Sequence, residues 1–236
     1  MGDGPAVETP ASSNGSTGAS MYRMQGSQAA VAPTQSLLGQ VLGITGAGFL
    51  ITAASAYLFQ GVVSYGISLV AMLAGLGFLF AISGTRNNPA LSLVMFYVFT
   101  FLEGIGIAPI IARYVQSGAS EAVVNAAATT GVGMLVLAGV VYATGIDFRR
   151  FSGIAFIALI ALVLIGVVSL FVRFIHPETY SWLTLGIFTL LVLIDFSRIR
   201  AGGGGSTAVE LATSIYLDAI NIFLALLSLF GGRRRD

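Results

Sequence analysis

Residues 191–227 read LVLIDFSRIRAGGGGSTAVELATSIYLDAINIFLALL. Two apolar runs flank a glycine turn, and each carries one aspartate, Asp195 and Asp218. Runs of this kind belong either to the core of a large soluble domain or to a bilayer, and the composition decides between them. Of 236 residues, 56% are hydrophobic and 9% charged. A soluble domain carries about 25% charged residues. The chain therefore reads as an integral membrane protein with no room for a soluble catalytic domain. An ionisable side chain at the bilayer centre costs roughly 2.5–3.5 kcal/mol on insertion scales. Asp195, Asp218 and a third acid, Glu103, thus need a reason: an ion or proton site, or a contact that pairs helices.

Working outward, seven apolar segments lie near 37–59, 62–82, 90–112, 122–143, 151–173, 180–196 and 208–230. Each approaches the roughly 20 residues that a spanning helix needs. The gaps between them are short, so neighbours should pack antiparallel. The expected fold is an all-α bundle of seven transmembrane helices over residues 37–231. Residues 1–36 are rich in Gly, Ser, Ala, Thr and Pro and lack the apolar core of a secretory signal, so they read as a disordered tail. Residues 232–236 form a basic tail. Small residues recur at close spacing, at Gly39/Gly43, Gly46/Gly48, Gly75/Gly77, Gly104/Gly106 and Gly131/Gly133, and such residues let helix backbones approach closely in lipid.

Arginine placement sets the orientation. With a cytoplasmic N-terminus, Arg23, Arg86, Arg149, Arg150, Arg198 and Arg200 fall inside, and Arg113 and Arg173 outside. The tail arginines Arg233, Arg234 and Arg235 oppose this bias if the last segment spans, and support it if that segment dips in and returns. Seven full spans is the expectation. Every basic residue is Arg, which suggests a GC-rich genome and a bacterial inner membrane. Cysteine is absent, which removes disulfides and thiolate metal sites.

The glycine run at 202–205 predicts a helical hairpin that brings Asp195 and Asp218 together. Two carboxylates in a low-dielectric site do not both ionise cheaply. A shared proton lowers the cost, the pair titrates as a unit, and it is a pH sensor by construction. Fully deprotonated, it is a hard oxygen site suited to Ca²⁺, and Asn221, one turn after Asp218, offers an amide oxygen. The plainer reading pairs Asp195 with Arg198 at i,i+3. Glu103 suits either a pore or a packing contact across the approach that Gly104 and Gly106 permit. Pro109, six residues on, loosens or kinks its helix. His176 reads as loop, and Trp182 beside Tyr180 as an interfacial anchor. The glycine run also reads as a free hinge for the last segment, with no other anchor.

These residues carry a resemblance. Ile-Asp-Phe-Ser-Arg-Ile around Asp195 and Ser-Ile-Tyr-Leu-Asp-Ala-Ile-Asn-Ile-Phe-Leu around Asp218 resemble the closing motifs of the Bax inhibitor-1 family, also called the transmembrane Bax inhibitor motif family. Phe-Thr-Phe-Leu-Glu-Gly at 99–104 and Thr-Gly-Ile-Asp-Phe at 144–148 resemble two further family motifs. The likeness covers roughly residues 37–231, and the chain looks like a bacterial member. It departs from the pattern at the glycine-only turn and at Ile194, where Tyr commonly precedes the first aspartate. The resemblance implies a seven-helix bundle with its last helix near the centre. It also implies a pH-sensitive calcium leak with Asp195 and Asp218 as sensor and calcium site. An arginine that latches the aspartates is implied too, and Arg86 is the candidate.

Three functions compete. The first is an ion leak gated by the aspartate pair, with the bilayer, calcium and protons as partners. The second is a non-transporting regulator that binds a membrane protease or other membrane proteins. The third, an intramembrane aspartyl protease, is disfavoured: such enzymes place Tyr before one aspartate and Gly-x-Gly before the other, whereas Ile194 and Leu217 stand here. The expectation is a protein that is not an enzyme, with no cofactor beyond calcium as permeant or bound ion, and no nucleic-acid partner.

Overall fold

The computed structural model describes residues 1, 2, 4, 34–169, 171, 172 and 174–232. The tails expected at 1–36 and 232–236 fall almost wholly outside them. Seven long helices follow in order: α1 (Thr34–Phe59), α2 (Tyr65–Gly84), α3 (Pro89–Gln116), α4 (Ser120–Thr144), α5 (Ser152–Ser169), α6 (Pro177–Arg200) and α7 (Ala208–Gly232). All seven, counting the short 3-10 turn Phe148–Phe151 that leads into α5, are long and apolar enough to cross a membrane. Helices are the solution lipid imposes, because every backbone N–H and C=O must be satisfied within the segment. The fold is the expected bundle.

Local chemistry fixes the ends. Asn88 caps α3 by accepting from the Leu91 N–H at 3.1 Å, with Pro89 in the first turn. Gly145 ends α4 in the left-handed conformation at φ 70°, which glycine adopts without steric cost. The fifth span ends at Ser169, short of the expected 173. The sixth runs on to Arg200, because Arg198 and Arg200 in its last turn suit the negative end of the helix dipole.

The glycine turn is not the free hinge that the sequence suggested. Gly202, Gly203, Gly204 and Gly205 all have positive φ, so the run is glycine because the tight turn requires it. Gly203 is buried against Leu37 and Leu211. Arg86 Nη2 donates to the Gly205 carbonyl at 3.0 Å. A reciprocal capping box starts α7: the Thr207 N–H donates to Glu210 Oε2 at 2.8 Å, and the Glu210 N–H to Thr207 Oγ1 at 3.2 Å. The turn is tied down on three sides.

Helix α7 packs against α1, α2, α3, α4 and α6 and is the centre of the bundle. Helix α5 lies at the rim, packed on α6, with Ile154, Phe156, Ile157 and Leu164 exposed as lipid-facing residues. The last segment is one continuous helix of 25 residues, about 37 Å long at 1.5 Å per residue. Its C-terminal Gly231 sits against Tyr114 near the end of α3, far from the glycine turn. It spans and does not return. The loops bearing Arg86, Arg149, Arg150 and Arg200 meet at one end, where Arg200 also donates to the carbonyls of Val141, Gly145 and Ile146. A reporter fused after Arg200 should therefore read cytoplasmic and one after Asp236 should read outside; the same sign at both positions would contradict seven spans.

Two glycines set how close the helices come. A Cβ on Gly104 would run into Ser55 Oγ and lie 2.5 Å from the Thr52 carbonyl oxygen of α1. A Cβ on Gly106 would lie 2.5 Å from Met72 Cγ of α2. Helix α3 thus holds α1 and α2 on glycine contacts, and the Ser68 hydroxyl donates to the Gly106 carbonyl across the second of them. Pro109 is accommodated inside α3, buried and without ending the helix.

Candidate functional site

Asp195 is buried at 4% exposure and Asp218 at 5%. They lie on α6 and α7, which pack side by side. Their charges act on each other, and the Arg198 charge acts on both. The hairpin therefore joins the two aspartates as the sequence predicted. Arg198 Nη1 donates to Asp195 Oδ1 at 3.2 Å, the i,i+3 pair of the plainer reading. The Ser214 hydroxyl, one turn before Asp218 on α7, faces the Asp195 carboxyl. Oδ2 of each aspartate is buried with no hydrogen-bond partner among the described residues.

Charge arithmetic divides the roles. One guanidinium compensates one carboxylate, and the geometry gives that carboxylate to Asp195. Asp218 is the uncompensated acid. A buried charge without a partner is expensive, so Asp218 must hold a proton or stand beside a cation. The four carboxylate oxygens of the pair and the Ser214 hydroxyl supply fewer oxygens than the six to eight that Ca²⁺ takes. No group of three or more Asp, Glu, His or Cys side chains converges among the described residues.

Arg86, the latch candidate, lies elsewhere. Besides its bond to Gly205, its Nε stands 4.0 Å from Glu210 Oε1. It braces the turn before α7, and the arginine that touches the pair is Arg198. No local pattern reveals this, because Arg86 and Glu210 meet across 124 residues. Asn221 Nδ2 donates to the Leu217 carbonyl at 2.8 Å within its own helix, and its side chain lines a cavity among α5, α6 and α7. Glu103 is half-buried and acts electrostatically on Tyr216. His176 precedes Pro177 at the start of α6, and Trp182 is exposed near that end, as an interfacial anchor should be.

Tyr216 is a residue whose weight the sequence reading missed. It is fully buried, its hydroxyl is 2.6 Å from Thr52 Oγ1, and its ring lies 5.0–5.7 Å from those of Phe49, Phe96 and Phe99. It pins α7 to α1 and α3 two residues before Asp218. Tyr216→Phe should lower stability by roughly 0.6–1.7 kcal/mol, the range for an interhelical hydrogen bond. Thermal unfolding in detergent measures this, and an unchanged midpoint would deny the hydrogen bond a role. Asp147, from the 144–148 motif, is a surface residue. Hydrogen bonds and charge from Arg149 hold its carboxyl down at about 2. It stays ionised throughout the neutral range and contributes no pH response there.

A second cavity, about 580 Å³, is apolar and lies between α1 and α4 over a floor that includes Ile107, Ile215 and Phe223. It holds no acid or base and is not where ion chemistry would occur.

Fold and site together define a multi-pass, seven-helix membrane protein with a buried carboxylate pair shared by its last two helices. The chain belongs to the Bax inhibitor-1 family: the family model described as "Inhibitor of apoptosis-promoting Bax1" matches residues 34–235. It is similar to several bacterial proteins. It is 26% identical to an uncharacterized protein of Helicobacter pylori over 174 residues, 73% of this chain and 74% of that one. It is 29% identical to an uncharacterized membrane protein of Vibrio cholerae over 70% of this chain and 74% of the relative. A Streptococcus pyogenes membrane protein is 28% identical over 73% of this chain and 76% of its own length.

Proposed function

We propose that this protein is a pH-sensitive calcium leak channel gated by Asp195 and Asp218. The observation that carries the reading is the placement of two buried carboxylates on adjacent helices with Arg198 paired to Asp195 alone. Fully ionised, the group of three carries a net charge of minus one inside the bundle. That state favours a cation at the site, and protonation of one carboxylate removes the attraction. Proton and calcium therefore compete for the same oxygens, and the reading has no catalytic step.

Purified protein in calcium-loaded liposomes tests it. Flux that changes with pH between 6 and 8, and exceeds that of empty liposomes, is the expected result. No flux at any pH would leave the second reading, a regulator that binds a membrane protease or another membrane protein, as the better account.

A further inference from the structure

Positions 181, 184, 188 and 195 recur at steps of three, four and seven, so Ser181, Thr184, Phe188 and Asp195 share one stripe of α6. On α7 the same spacing joins Ser214, Asp218, Asn221, Ala225 and Ser228. The two helices pack together. A cavity of about 340 Å³ lies among α5, α6 and α7, lined in part by Tyr180, Ser181, Thr184, Asn221 and Ser228, with Phe188 as the lining residue of α6 nearest Asp195. It sits towards the end of the bundle opposite the arginine-bearing loops. At about 30 Å³ per molecule it has room for roughly ten waters.

Three hydrogen-bond donors of this lining are spent on the helices themselves. Ser181 Oγ donates to the Pro177 carbonyl at 3.0 Å, and Thr184 Oγ1 to the Tyr180 carbonyl at 2.9 Å. Asn221 Nδ2 donates to Leu217. What remains at Ser181 and Thr184 is acceptor capacity, and at Asn221 the carbonyl Oδ1 beside its second N–H. A groove lined by hydroxyl and amide oxygens, with no basic side chain in its lining, suits water and cations better than anions. Asn221 stands three residues from Asp218, about 4.5 Å of helix rise.

We propose that this groove is the water-filled outer entrance through which cations reach the Asp195/Asp218 pair, with Asn221 Oδ1 as the last oxygen before it and Phe188 as the apolar seal. The proposal rests on the channel reading above. It turns that reading into a directed path: acceptors outside, an aromatic constriction, then the acids.

The chain has no cysteine, so single-cysteine variants report without background. Thr184→Cys and Ser228→Cys change little in size, and Ile157→Cys on the lipid face of α5 is the control. A membrane-impermeant cationic thiosulfonate is added from outside to reconstituted protein. Thr184→Cys and Ser228→Cys should label far faster than Ile157→Cys. The fixed positive charge should then cut calcium flux more than about tenfold relative to the same variant unlabelled, through Coulomb repulsion in a low-dielectric groove. Labelling no faster than at Ile157→Cys overturns the proposal, because the groove is then dry. Fast labelling with undiminished flux also overturns it, because the path then lies elsewhere. A parent protein that passes no calcium while these positions label fast overturns the channel reading and not the hydration of the groove.

Discussion

Asp218→Asn is expected to abolish the pH dependence of calcium flux between pH 6 and 8, and Asp195→Asn to flatten it. A single proton changes an equilibrium by at most about tenfold per pH unit, so that slope is the most either variant can remove. The two differ in what they leave behind. Asp218→Asn leaves the Asp195–Arg198 pair intact and neutral, so this protein should fold and report the loss cleanly. Asp195→Asn frees Arg198 beside the remaining Asp218, so some pairing is restored and the effect is smaller. Asp147→Asn is the internal control. Its carboxyl, held at about 2 by Arg149, has given up its proton well below the tested range, and whatever stability it adds is lost only as the pH falls towards that value. Flux measured at matched protein levels decides: an unchanged midpoint in both site variants would remove the aspartates as sensor.

Gly104→Ala should destabilise the bundle by about 1–3 kcal/mol or more, the cost of overpacking a close contact. The added methyl meets the Thr52 carbonyl oxygen and the Ala56 nitrogen, both backbone, as well as Ser55. Backbone cannot rotate aside, so α1 and α3 must separate. Gly106→Ala meets only the Met72 side chain, which is flexible, and should cost less. Gly77→Ala has nothing within 4 Å and should be neutral or stabilise by up to about 1 kcal/mol, since alanine favours helix. Thermal unfolding in detergent gives the order directly. Equal midpoints for Gly104→Ala and Gly77→Ala would mean that α1 and α3 do not meet as described.

The helices were legible in the sequence because lipid leaves the backbone one solution and apolar length measures it. The aspartate pair was legible too: a charge in an apolar run is conspicuous, and a short turn between two such runs forces them to be neighbours. Glycine spacing marked close approach only in part: Gly48, Gly104 and Gly106 are such places, whereas Gly39, Gly43, Gly46, Gly77, Gly131 and Gly133 have nothing within 4 Å of an added Cβ, because spacing does not say which face of a helix meets a neighbour. The error at 202–205 came from composition, since four glycines look flexible alone, while Arg86, Leu37 and Glu210 that hold the turn are contributed by other parts of the fold.

By itself, then, the sequence determined seven spanning helices, their order, and two acids that must share one site, because hydropathy and turn length are local properties. Only the tertiary structure decided which arginine serves that site, since Arg86 and Arg198 carry the same charge and differ only in what they reach. It also decided that Tyr216 pins the central helix and that Asn221 faces a groove. Those facts depend on the rotation of each helix about its own axis, and that rotation is set by how all seven pack against one another.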